Sequence, residues 1–222
     1  MSRTLCCEFV IETEKRAVYW WPLIFEAMHQ HSFSFADPDP DIQKGLSHYY
    51  YYRTGDPSES DGVTAPFRTL WDEISSESST VLVTFWSLNA DPFPLNVTLS
   101  QEERNEYQIR IHMSFEAAEL TGLSPEDVKL RLQTVLDAAK GHYRLCKPCT
   151  GEMYWDYEGL QYAALASFGK FPEVPSSERP EVPGPERKLI RQYLPDGDYI
   201  HVLNPVPIPE KGGEWHFISL LE

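Results

Sequence analysis

Apolar and polar side chains alternate with a period of two over three consecutive stretches of this 222-residue chain. Tyr107, Ile109, Ile111, Met113 and Phe115 are interleaved with Gln108, Arg110, His112 and Ser114, the pattern of a strand buried on one face. Leu95, Val97 and Leu99 alternate with Asn96, Thr98 and Ser100 in the same way. Val81, Val83 and Phe85 alternate with Leu82, Thr84 and Trp86, a run apolar enough to be covered on both sides. The connectors at 89–92 and 101–105 hold turn-forming residues and are too short for a crossover, so an antiparallel meander is predicted over about 80–115.

The period then changes. Ser124 is a good N-cap, Pro125 suits the first helical position, and Asp127 completes a capping pattern. Val128, Leu132, Val135, Leu136 and Ala139 follow on one helical face, with Gly141 as the expected left-handed stop. This spacing predicts an amphipathic helix over 124–140. A strand meander and an amphipathic helix each need their apolar side covered, and packing on one another does this.

Weaker patterns fill in the rest. Residues 4–12 read as a strand and 16–31 as a helix, with Pro22 in its first turn. Residues 33–45 read as a loop, the four-tyrosine run at 49–52 as a short strand, and 55–62 as a polar connector. Phe67, Leu70, Trp71 and Ile74 predict a helix over 66–76. Residues 152–157 read as a strand, 160–168 as a short helix and 188–193 as a helical turn. The five prolines of 171–186 predict an extended segment. Residues 199–203 and 214–221 read as closing strands that tie the C-terminus into the sheet. The expected fold is therefore α+β, mainly antiparallel sheet packed by amphipathic helices. Residues 1–222 are expected to form one globular domain.

Composition narrows the function. No apolar run reaches the roughly 18–20 residues of a membrane span, and the N-terminal residues lack a signal-peptide core, so a cytoplasmic setting is expected. The net charge is −15, from 34 acidic and 19 basic residues, and residues 61–120 carry 3 basic and 10 acidic groups. Phosphate backbones and anionic membranes require a basic footprint, so neither nucleic acid nor membrane is an expected partner. A protein with a basic surface is.

The motifs that would specify an enzyme are missing. There is no glycine-rich phosphate loop, nucleophile elbow or zinc-binding H-E-x-x-H. Asp37, Asp39 and Asp41 have calcium-loop spacing, but Ile42 and His48 stand where a turn glycine and a bidentate glutamate belong. Cys146 and Cys149 form one C-x-x-C and supply half of a zinc site at most. Glu152, Asp156 and Glu158 share one face of a strand, a possible arrangement for acid/base work. No cofactor is implied.

These observations favour a non-catalytic acidic module that binds another protein. Asp72, Glu73, Glu77, Glu102, Glu103 and Glu106 are the expected contact carboxylates, and Tyr50 and Tyr52 the expected aromatic anchors. In general type (acidic, α+β, aromatic-rich and motif-free) the chain resembles immunity proteins that neutralise bacterial toxins. That resemblance implies an inhibitor of a partner protein. A small-molecule enzyme built on Glu152, Asp156 and Glu158 is one alternative, and a structural component of a phage or secretion assembly is another.

Overall fold

The computed structural model describes residues 3–39, 46–53, 60–75, 79–101, 108–157, 160–169, 184–209 and 214–221. Its centre is the first strand, β1 (Arg3–Glu12), which pairs antiparallel with two strands distant in sequence. On one side lies β7 (Gln108–Glu116), the last strand of the meander formed with β5 (Ser79–Ser87) and β6 (Pro94–Gln101). On the other lies β8 (Thr150–Tyr157). Beyond β5 the sheet continues through β3 (Leu46–Arg53) to β4 (Ser60–Pro66), and the short β2 (Phe33–Ser34) also joins β5. Beyond β8 it continues through β9 (Leu160–Gly169) and β11 (Tyr199–Asn204) to the edge strand β10 (Lys188–Tyr193). The described residues thus form an 11-stranded antiparallel sheet.

Among the described residues, three α-helices cover one face of this sheet. They are α1 (Trp21–Gln30), α2 (Phe67–Ser75) and α3 (Pro125–Cys146). Alternation decides which side chains they cover. Leu5, Cys7, Phe9 and Ile11 of β1 share one core with Ile109, Ile111, Met113 and Phe115 of β7 and with Val81, Val83 and Phe85 of β5. Ile24 and Met28 of α1, Leu70 and Ile74 of α2, and Leu132, Val135, Leu136 and Ala139 of α3 close that core. Ring contacts mark the seams. Phe25 of α1 meets Phe85 at 5.3 Å and Phe67 of α2 at 5.4 Å, and His142 of α3 lies parallel to Phe9 at 6.4 Å.

The start of α3 is as its sequence predicts: the Ser124 hydroxyl accepts the backbone N–H of Asp127 at 3.2 Å. Its end is not. Gly141 does not stop the helix, because it is an interior position where α3 passes α1. A Cβ there would overlap the ring of His31. The chain leaves the helix at Lys147, whose φ of 46° provides the left-handed cap instead.

Three further expectations change. Residues 160–168 form β9 rather than a helix, since they complete a hairpin with β8. Residues 188–193 form β10 rather than a helical turn, because they pair along the length of β11. Tyr199–Asn204 does join the sheet, but Trp215–Ile218 (β13) pairs with Val206–Pro209 (β12) in a separate two-stranded ribbon. The ribbon is tied at two points. Trp155 Nε1 donates to the carbonyl of Pro207 at 2.6 Å, and Asn204 Oδ1 accepts the backbone N–H of Leu220 at 2.9 Å. The connector expected at 55–62 is shortened by β4, which begins at Ser60. Most of the proline-rich stretch at 171–186 lies outside the described residues.

Candidate functional site: a carboxylate face opposite the helices

Because side chains alternate along each strand, the sheet's second face is built from the residues between the core positions. One row of paired positions can be followed across the sheet. Arg191, His201, Ser167, Glu152, Glu8, His112, Thr98, Leu82, Tyr50 and Gly62 form one unbroken row from β10 to β4. The described helices pack on the other side of the sheet.

Carboxylates concentrate where β7, β1 and β8 run side by side. Glu8 lies directly opposite Glu152 on one side and His112 on the other. Two residues along, Cys6 is flanked by Ser114 and Tyr154, and two further, Thr4 by Glu116 and Asp156. The Thr4 hydroxyl donates to Glu116 Oε1 at 3.2 Å. With Glu12 at the end of β1, five carboxylates occupy this part of the face, and Arg110 brings the guanidinium of β7 to the same side.

The electrostatics follow from this crowding. Cys6 and Tyr154 are buried at 3% and 4% exposure, so the centre of the patch is poorly solvated. The Cys6 thiol is pushed up to about 12, first by burial and then by Asp156, Glu8 and Glu116. It stays protonated near neutrality and is a poor nucleophile. His112 is lowered by burial, although Glu8 and Asp156 pull the other way. A neutral imidazole therefore sits beside Glu8 and does not cancel its charge. Asp156 Oδ1 is shielded from solvent with no hydrogen-bond partner among the described residues.

The residues expected from sequence fall into three groups. Glu152 and Asp156 are both on this face, as strand spacing required. Tyr154 separates them, and register shifts against β9 flank that position. Glu158 lies outside the described residues, as do Glu77, Glu102, Glu103 and Glu106. Tyr50 and Tyr52 are on β3, opposite Leu82 and Thr80, at register positions of the same face. Asp72 is exposed on α2, the helix that also carries Glu73, on the opposite side of the sheet. The structure thus separates Asp72 from the two tyrosines and supplies Glu8 and Glu116, which no local motif marks.

The C-x-x-C is split by its setting. Cys146 is buried in the last turn of α3 and its thiol is pushed up to about 12 by burial, while Cys149 is exposed and its backbone N–H donates to Val10 at 2.8 Å. Among the described residues, no three His, Cys, Asp or Glu side chains are grouped to hold a metal ion. No helix of the described chain is long and apolar enough to cross a membrane. No protein-family model, curated protein or solved structure matches the chain.

Proposed function

We propose that the protein is a non-catalytic recognition module that binds a basic partner protein through the carboxylate face of its sheet. The observation that supports this reading most directly is the grouping of Glu8, Glu116, Glu152 and Asp156 around Cys6, on the face opposite the described helices. Lysine and arginine side chains of a partner would meet converging carboxylates in a partly desolvated setting, where charge-assisted hydrogen bonds are strong. The β3 positions Tyr50 and Tyr52 are the aromatic candidates for the apolar part of such a contact. A cytoplasmic inhibitor of the immunity type fits the same chemistry, since a cationic active-site surface is a natural target for an acidic face. The acid/base alternative rests on Glu152, Asp156 and Glu158, of which Glu152 and Asp156 are separated along β8 by Tyr154 and Glu158 lies outside the described residues.

The test is affinity capture from the native host with the wild-type chain and with the triple variant Glu8→Gln, Glu152→Gln, Asp156→Asn, followed by mass spectrometry. A basic protein should be retained by the wild type at low salt, be released as salt rises, and be lost from the triple variant. Retention of the same protein by both chains would remove this face as the interface. Co-expression with the captured protein would then ask whether binding suppresses its activity.

A further inference from the structure

A groove of about 520 Å³ opens on the helix-bearing side, away from the carboxylate face. Its floor and walls come from three places. The 3-10 turn Ala117–Leu120 and the loop after it contribute Leu120, Thr121 and Leu123, the first turn of α3 contributes Val128, and the β12–β13 ribbon contributes Ile208 and Phe217. The volume lies within the about 300–1,000 Å³ range of small-molecule sites. It is many times what a water molecule needs.

The walls are fixed independently of any ligand. Ser124 caps α3 through Asp127, and the Ser124 hydroxyl also donates to the Asp127 carboxylate at 2.7 Å. The ribbon is held by Trp155 through Pro207. Phe217 is backed by Gly184, where a Cβ would overlap the tip of its ring. A cleft whose sides are anchored in this way does not lose much freedom on filling.

We propose that this groove is a binding site for one uncharged, largely apolar small molecule. No lining side chain carries a fixed charge, so an ion placed there would be left unpaired. Glu119, Glu126, Asp127 and Glu214 stand in the flanking segments and further oppose an anion. The Thr121 hydroxyl offers a polar contact to a single polar group on an otherwise apolar body. Concave walls from three elements suit a compact molecule rather than a flat protein surface. This site is separate from the proposed partner face and stands or falls without it.

The experiment uses the full chain and the neutral fluorophore N-phenyl-1-naphthylamine. Emission should rise saturably with one site per chain, and amide NMR shifts should concentrate at Thr121, Gly122, His216 and Ile218. Thr121→Trp, at an exposed rim position, should weaken binding at least about tenfold by filling the mouth, with an unchanged circular dichroism spectrum. Leu123→Trp should do the same. The anionic 8-anilino-1-naphthalenesulfonate should bind at least about tenfold more weakly than the neutral probe. Non-saturable emission, shifts confined to other surfaces, or full affinity in Thr121→Trp would each overturn the site. Equal affinity for the anion would overturn the ligand class.

Discussion

Glu8 on β1 and Glu152 on β8 face each other directly across the sheet ladder. Like charges in that position oppose folding by about 0.2–1 kcal/mol, and His112, lowered by burial and neutral near pH 7, does not relieve them from the other side. Glu8→Gln is therefore expected to raise stability by about 0.2–1 kcal/mol at pH 7 and low salt, with the gain shrinking in 1 M salt. Urea unfolding of both proteins at both salt concentrations measures this. A loss of stability on neutralising Glu8 would mean that its charge is compensated within the fold, which would weaken the case for an external cationic partner.

His142 predicts how the protein responds to acid. Its Nδ1 lies 2.8 Å from the carbonyl of Ala138, which can only accept, so the ring proton belongs on Nδ1. Nε2 is buried with no hydrogen-bond partner among the described residues. Burial lowers the imidazole from 6.5 to about 4, partly resisted by the bond to Ala138, and nearby His31 is lowered as well. The unfolded chain thus takes up protons before the folded one does. Stability from His142 is complete above about pH 6.5, is lost as pH falls toward 4, and totals on the order of 3 kcal/mol. His142→Phe, which keeps a ring beside Phe9, should flatten the decline in urea midpoint between pH 6.5 and 4. An unchanged slope would assign the acid sensitivity to other groups.

The elements with a long, clean period are legible in the sequence alone. The meander and the buried face of α3 follow from alternation and 3.6-residue spacing, because those patterns report which side is covered. The residues of β9 read as a helix because Leu160, Ala163, Ala164, Leu165 and Ala166 are good helix formers, and the pairing that makes them a strand lies in β8. Gly141 reads as a terminus because a glycine needed for close approach looks the same in sequence as one needed for a left-handed cap. At the carboxylate face, Glu152 and Asp156 are visible as neighbours on one strand. Glu8 and Glu116 are not, since only the β1 register brings Thr4 opposite both Glu116 and Asp156.

Two glycines should respond differently to the same substitution. A Cβ on Gly151 would overlap the ring of Phe9, which is fully buried and hemmed in by Phe168 and His142. With no room to yield, Gly151→Ala should destabilise the protein by about 1–3 kcal/mol through overpacking. At Gly141 the obstacle is His31, a half-buried side chain at the end of α1 that can rotate outward. Alanine there also gains about 1 kcal/mol of helix propensity. Gly141→Ala should therefore fall within about 1 kcal/mol of the wild type. Thermal and urea unfolding compare the two directly, and a larger loss at Gly141 would show that the α1–α3 crossing cannot relax.

Arg131 joins α3 to two other parts of the chain. Its guanidinium donates to the carbonyl of Glu119 at 2.6 Å, pairs with Asp91 in the β5–β6 connector, and lies 5.0 Å from the centre of the Phe93 ring. Asp91 is 76% exposed at its side chain, so the ion pair is largely screened and contributes about 0–1 kcal/mol. The bond to a backbone carbonyl and the packing on Phe93 are better protected. Losing a charge-assisted bond to that carbonyl costs about 1.5–3 kcal/mol, while much of the stem's packing survives in methionine. Arg131→Met should thus lose about 1.5–3 kcal/mol, and Arg131→Ala more, as a cavity opens beside Phe93. Asp91→Asn should lose under about 1 kcal/mol. Equal losses for Asp91→Asn and Arg131→Met in denaturant unfolding would make the ion pair, rather than the carbonyl and the ring, the main tie between α3 and the meander.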